Sequence, residues 1–247
     1  GVMVLQASAT GADVAMRFYN SDGSLGEMCG NGARCVCRYA CECGYAGDTV
    51  RVETTAGLVT GWRQSRDRFR IRLNTPTVLE TERVLTLDGE TYCCGYAELG
   101  NPGIPHLTVE IPDLLLRIDD EEALGALRML GRKLRYHPAL PKGANVNFYQ
   151  VTGPQHLRQL TYERGVEDFT LACGTGAGSL AAVLTASGRM DGANVQVQTA
   201  GGDLDVEVEM EAGRVENLYL TGAALIVYSG ELAEEFLQPV VIEDIMD

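Results

Sequence analysis

An α/β protein of two pseudo-symmetric halves is predicted by three observations: an internal repeat, a glycine-bounded helix in each copy, and alternating strands after each helix. Cys29-Gly30-Asn31-Gly32-Ala33 is matched by Cys173-Gly174-Thr175-Gly176-Ala177, 144 residues later. At the same offset Gly44 meets Gly188, and Thr55-Ala56-Gly57 meets Thr199-Ala200-Gly201, with no gap. One such match would be weak, because glycine-rich turns are common. Two at one offset mark a duplication.

Each copy has the same local logic. Small residues come first, so the backbone can turn sharply. Helices are predicted over Ala33–Cys43 and Ala177–Ser187; in the second, Leu180, Val183 and Leu184 fall at helix-face spacing. Gly44 and Gly188 stand where C-terminal caps belong. Asp48–Thr55 and Asn194–Thr199 alternate as strands do. Further strands are expected at Val2–Gln6, Ala15–Tyr19, Phe69–Leu73, Leu107–Ile111, Val146–Val151, Leu204–Val208 and Leu218–Val227. A helix is expected over Glu121–Leu134, capped by Asp119 or Asp120. Asn74-Thr75-Pro76 reads as a linker. The expected halves are residues 1–76 with 230–247, and residues 77–229. The second cysteine follows a long strand-rich approach from Val78, whereas the first has only 28 residues before it. If the halves are equivalent, the first lacks its opening strands.

A chain of 247 residues makes one large domain or two small ones. Its net charge of −14 repels phosphate backbones and argues against a nucleic-acid partner. No apolar run reaches the length of a membrane span and no signal segment is visible, so a cytoplasmic protein without membrane attachment is expected. Eight cysteines are present. In a chain of this size without a signal, free thiols are expected rather than disulfides. Cys35, Cys37, Cys41 and Cys43 crowd together, but not at the paired spacing of common zinc modules. They read as small buried helix residues, with a metal site as the alternative.

Cys29 and Cys173 each stand just before a helix. A helix N-terminus offers unpaired N–H groups and about half a positive charge, which favours thiolate and binds anions. Two such starts converging about a pseudo-twofold axis would hold a carboxylate and place a sulfur on each face of the adjacent carbon. Inverting an alpha carbon needs a base on one face and an acid on the other. A structural turn or a phosphate loop are the other readings, but no P-loop or dinucleotide fingerprint is present. The repetition of the cysteine at the same point of the same turn favours chemistry.

The stretch from Asn20 to Cys35, the stretch from Glu163 to Ala177, Asn145-Val146-Asn147-Phe148 and Pro105-His106 resemble the diaminopimelate epimerase family over almost the whole chain. The resemblance implies two α/β halves, each a mainly antiparallel strand-rich barrel around a central helix, with the active site in the cleft. It implies interconversion of LL- and meso-diaminopimelate for lysine and peptidoglycan precursors, with no cofactor and no metal. It makes Cys29 and Cys173 the acid–base pair. Backbone N–H groups of Gly30, Asn31, Gly174 and Thr175 would hold the reacting carboxylate. Asn20, Asn145 and Arg164 would hold the distal carboxylate, and Glu163 the ammonium group with His106 close by. The family's first strands, with a Gly-Asn-Asp-Phe motif, are absent from this sequence. Gly100 to His106 is longer than the usual Gly-Asn-Pro-His, so either Asn101 or Ile104 fills the asparagine position. The partner expected is a small amino acid, with a homodimer as a candidate assembly. The rival readings are a racemase of another amino acid, such as histidine or proline, and a non-catalytic protein that binds metal through the cysteine cluster.

Overall fold

A computed structural model describes residues 1–19, 23–26, 29–55 and 57–233, with only the backbone of Leu115 and Leu116. In chain order the elements are β1 (Val2–Gln6), β2 (Val14–Tyr19), β3 (Leu25–Gly26), α1 (Gly30–Glu42), β4 (Thr49–Thr54), β5 (Gly57–Arg63), β6 (Arg68–Leu73), β7 (Pro76–Leu87), β8 (Glu90–Leu99) and β9 (Ile104–Glu110). There follow α2 (Leu114–Ile118), α3 (Glu121–Arg135), β10 (Asn145–Gly153), β11 (His156–Glu163), β12 (Asp168–Thr170), α4 (Gly174–Ala186), β13 (Val195–Thr199), β14 (Gly202–Glu211) and β15 (Arg214–Ala223). Among the described residues the strands join one sheet in the order β1-β2-β4-β5-β6-β15-β14-β13-β11-β10-β9-β8-β7, with β3 on β2 and β12 on β11. No described helix is long and apolar enough to cross a membrane.

The sheet wraps around α1 and α4. Helix α1 packs on β2, β4, β5, β6 and β15; α4 packs on β7 to β10, β14 and β15. Every residue of α4 from Gly176 to Leu184 is buried, as expected of a helix enclosed on all sides. Its small residues allow the strands to come close: a side chain at Gly178 would meet Leu73 Cδ1 at 2.7 Å. One apolar core surrounds both helices, including Val36, Phe69, Ile71, Leu180, Leu218 and Leu220. A second lies on the outer face of β8 to β11 under α2 and α3, built on Leu107, Leu127, Leu134, Phe148 and Tyr162.

The duplication is visible in the backbone. Cys29 and Cys173 are the N-caps of α1 and α4 at φ −128°, ψ 111° and φ −118°, ψ 104°. Gly44 and Gly188 follow the helices, both at φ +72°, where only glycine is unstrained. The gap-free pairing does not persist beyond them. Thr54 donates its hydroxyl to the Gly57 carbonyl at 2.7 Å, and Thr199 does the same to Gly202 at 2.6 Å. Those threonines are 145 residues apart, so the second copy carries one extra residue between helix and strand. The matching Thr-Ala-Gly tripeptides are therefore one position out of structural register.

Most other expected elements stand where pattern placed them. Asp120 caps α3 by accepting from Ala123 N at 2.9 Å, and Arg132, Lys133 and Arg135 complement the far end of its dipole. Pro76 starts a 12-residue strand instead of closing a linker. The strand predicted to reach Val227 ends at Ala223, and Leu225 to Tyr228 are exposed. Of the segment 230–247, residues 234–247 lie outside the described part.

Gly95 of β8 marks the tightest seat of α4. A Cβ there would lie 2.4 Å from Val183 Cγ1 of α4 and 2.5 Å from Thr108 Oγ1 of the neighbouring strand β9. Gly95→Ala is expected to lower the unfolding free energy by about 1–3 kcal/mol, read in urea unfolding as a lowered midpoint with an unchanged m-value.

Candidate active site

The two helix starts abut. A Cβ on Gly30 would come within 3.9 Å of Gly174 Cα, and Leu220 Cδ2 lies against both positions. Glycine at these first helical positions lets the backbones come this close. Cys29 and Cys173 flank the junction, one half-buried and one buried. The Cys29 carbonyl accepts from Ala33 N at 2.8 Å and the Cys173 carbonyl from Ala177 N at 2.9 Å, which opens each helical ladder. Gly32 N donates to Cys29 Sγ at 3.3 Å. The N–H groups of Gly30, Asn31, Gly174 and Thr175 are left without an intrahelical acceptor.

A cross-brace holds the junction. Arg34, only 4% exposed, donates to Asn31 Oδ1 at 2.8 Å, and Asn31 Nδ2 donates to the Ala172 carbonyl at 3.2 Å. Asn31 thus bridges α1 to the residue before Cys173. Among the described residues no carboxylate lies within 4.0 Å of the Arg34 guanidinium. Burial pulls its pKa down and the thiols of Cys35 and Cys29 counter this. Sequence reasoning gave Arg34 no role; its position four residues into a helix, among small residues, carried no sign that it folds back over the first turn.

The expectation of thiolate character is overturned for Cys173. Burial pushes its thiol up to about 12, the Glu163 carboxylate pushes the same way, and the Thr175 hydroxyl and Gly176 N–H only partly oppose them. Desolvation outweighs the helix start here. Thr175 Oγ1 lies 3.6 Å from Cys173 Sγ.

The remaining candidates gather on the strands facing the start of α4. Asn145 and His106 are register partners across β10 and β9. Asn145 Oδ1 accepts from Arg164 N at 2.8 Å, which fixes Arg164 at the end of β11. The Arg164 guanidinium reaches the Lys142 carbonyl at 3.3 Å. Glu163 and Arg164 sit on a turn closed by Glu167 N donating to the Glu163 carbonyl at 2.8 Å, and Arg135 of α3 holds the Glu167 carboxylate at 3.2 Å. Ile104, not Asn101, stands two residues before His106 on β9; Asn101 is exposed in the preceding turn. Asn20 lies outside the described residues. The clustered cysteines diverge around α1: Cys35 and Cys43 are exposed, Cys37 is buried, and Cys41 donates to the Gly47 carbonyl. Among the described residues no group of three or more His, Cys, Asp or Glu is placed to hold a metal.

His106 is fully enclosed, and burial first, then the Arg164 charge, push its pKa down to about 3. The unfolded chain binds its proton near pH 6.5, so between about 6.5 and 3 the unfolded state holds the extra proton and stability falls as pH falls. The expected loss is roughly 1.4 kcal/mol per pH unit in that window. Urea unfolding at about pH 5.5 and 4.5 should show this slope in the parent and a flatter one in His106→Asn.

The sequence model of the family described as diaminopimelate epimerase matches residues 1–77 and 100–227. The diaminopimelate epimerase of Aquifex aeolicus (strain VF5) is 38% identical over 229 residues, covering 92% of this chain and 77% of that protein. That of Archaeoglobus fulgidus is 37% identical over 243 residues, covering 94% and 80%. Among solved structures, a probable proline racemase from Agrobacterium radiobacter K84 has a TM-score of 0.68 at 22% identity, covering 90% of this chain and 72% of that one. A hydroxyproline epimerase from Agrobacterium vitis has the same score at 23% identity, covering 90% and 71%. These two share the fold; the sequence relatives and the family match go further, and the chain belongs to the diaminopimelate epimerase family.

Proposed function

We propose that this chain interconverts LL- and meso-diaminopimelate by proton transfer at the alpha carbon, with Cys29 and Cys173 as the paired acid and base. The observation that supports this reading most is the abutment of two helix starts, each led by a cysteine and a glycine. Removing an alpha proton leaves an electron pair that spreads into the neighbouring carboxylate. The free N–H groups of Gly30, Asn31, Gly174 and Thr175 meet that carboxylate as donors set in advance, and both helix dipoles favour the charge.

Cys173 enters as the thiol, because burial and Glu163 hold its proton. Cys29, whose sulfur accepts the Gly32 N–H, is the base in this state. Cys29 takes the proton from one face of the carbon while Cys173 delivers its own to the other. The roles are then exchanged: Cys29 carries a proton, and the Cys173 anion is met by the Gly176 N–H and the Thr175 hydroxyl. The reverse reaction starts from there. Each half, residues 1–76 with 230–247 and residues 77–229, brings one thiol to the cleft.

Glu163 takes the reacting ammonium group, with His106 on the adjacent strands. Asn20, Asn145 and Arg164 take the distal carboxylate. Asn145 commits its oxygen to Arg164 N and one amide hydrogen to the Pro105 carbonyl, which leaves its other amide hydrogen for a ligand oxygen. The substrate is a small amino acid, and the biosynthetic setting is cytoplasmic.

The test is alpha-deuterium incorporation in heavy water across a panel of amino acids. Diaminopimelate is expected to exchange without added cofactor. Exchange of histidine or proline but not diaminopimelate would sink the assignment. Arg164→Lys keeps the charge and loses the planar fork. Its kcat/KM for diaminopimelate is expected to fall by about 100-fold; an unchanged value would make Arg164 a surface residue.

A further inference from the structure

Beneath the first turn of α4 lies a buried polar cluster of which the mechanism above uses only His106. It comprises His106, Asn147, Gln159 and Thr161, each 3% exposed or less. Asn147 Nδ2 lies 3.1 Å from the Leu107 carbonyl oxygen and 3.5 Å from that of Asn145. Carbonyl oxygens only accept, so the amide nitrogen must face them. On the other side Asn147 Oδ1 accepts from Gln159 Nε2 at 3.0 Å and from the Thr161 hydroxyl at 2.9 Å. Thr161 in turn accepts a second hydrogen of Gln159 at 3.1 Å. The carbonyl side dictates the orientation of the amide, and the Gln159 and Thr161 side accommodates it.

That orientation reaches His106. Asn147 Nδ2 lies 3.3 Å from His106 Nδ1. An amide nitrogen offers two hydrogens and no lone pair; the Leu107 carbonyl takes one, and His106 Nδ1, nearer than the Asn145 carbonyl at 3.5 Å, takes the other, so Nδ1 is the acceptor and is bare. The neutral ring then carries its proton on Nε2. Nε2 is buried and has no protein partner among the described residues. A charged imidazolium would set an Nδ1–H against the amide N–H, donor to donor.

We propose that the Asn147–Gln159–Thr161 cluster is a positioning device that fixes His106 as the neutral imidazole with its proton on Nε2, a one-way hydrogen-bond donor to the substrate and not an acid–base group. The donation to substrate rests on the function proposed above; the tautomer does not. The low proton affinity of the enclosed ring is in accord. Gly176 couples the device to Cys173: a Cβ there would lie 2.2 Å from Asn147 Oδ1 and 2.9 Å from Gln159 Nε2, so the first turn of α4 rests directly on the cluster. The signal in the sequence was the alternation in Asn145-Val146-Asn147-Phe148, which puts two amides on one face of a strand whose other face is apolar.

Imidazole nitrogen-15 NMR of the full chain reads the tautomer directly. The chain has three histidines, and loss of one set in His106→Asn assigns the signal. The expected spectrum has Nδ1 in the range of an unprotonated ring nitrogen and Nε2 in that of an N–H, unchanged between about pH 6 and 8. A proton on Nδ1, or titration within that range, would overturn the proposal. Asn147→Asp replaces the facing donor by an acceptor. It is expected to move the proton to Nδ1 and to lower kcat for alpha-proton exchange on the order of tenfold or more. A moved proton with unchanged kcat would overturn the positioning role. Should that variant not fold, the parent spectrum decides alone. The expected spectrum in a protein that does not exchange diaminopimelate would leave the tautomer standing and remove the function assigned to the site.

Discussion

The contact on which the rest of the molecule depends is the meeting of two helix N-termini. It is electrostatically unfavourable as it stands. Two positive dipole ends face a common space, and the buried Arg34 guanidinium adds a full charge beside them. Each dipole interaction is worth about 0.3–1 kcal/mol, and up to ~2 when partly buried. Against this stands apolar burial at the same junction. Leu73 and Leu220, which lie against Gly30, are each 2% exposed or less, and each such side chain contributes roughly 1.5–3 kcal/mol. The hydrophobic term exceeds the repulsion, so the chain can hold an arrangement that only an anion relieves. The scaffold and the carboxylate binding proposed for it have the same origin.

Desolvation then sets the protonation states. The same enclosure raises the Cys173 thiol and lowers the His106 imidazole. The two shifts have opposite sign but one effect, which is to keep both groups neutral. Beside them stand two guanidinium groups, Arg34 tied to the Asn31 amide and Arg164 tied to the Lys142 carbonyl and, through its backbone N–H, to the Asn145 amide. A neutral buried acid beside fixed charges is a suitable starting point for moving one proton at a time.

Much of this was legible before any coordinates. The two cysteine–glycine turns, the helices they open, the φ > 0 glycines that close them and the cap at Asp120 all follow from local rules that operate within a few residues. The offset of the repeat was read one residue short after the helices, because identical Thr-Ala-Gly tripeptides hid an insertion that only the paired hairpin hydrogen bonds display. The charge state of Cys173 was read wrongly because a helix start is a sequence feature and enclosure by β-strands is not. Arg34, Gln159 and Thr161 were passed over for a related reason. Each lies in an ordinary amphipathic pattern, and its partner is far away in the chain or folded back over a helix turn.

The antiparallel ladder between β6 and β15 joins the two helix-bearing regions through six consecutive residue pairs, from Leu218 opposite Leu73 to Ala223 opposite Arg68. Sliding one region past the other would break the whole ladder at once. A change in sheet twist would keep every bond, since neighbouring strands are already rotated by about 20–25° and tolerate a range around that value. The seam therefore holds the two sulfur-bearing turns in one register, and sheet twist is the deformation that would cost it no hydrogen bond.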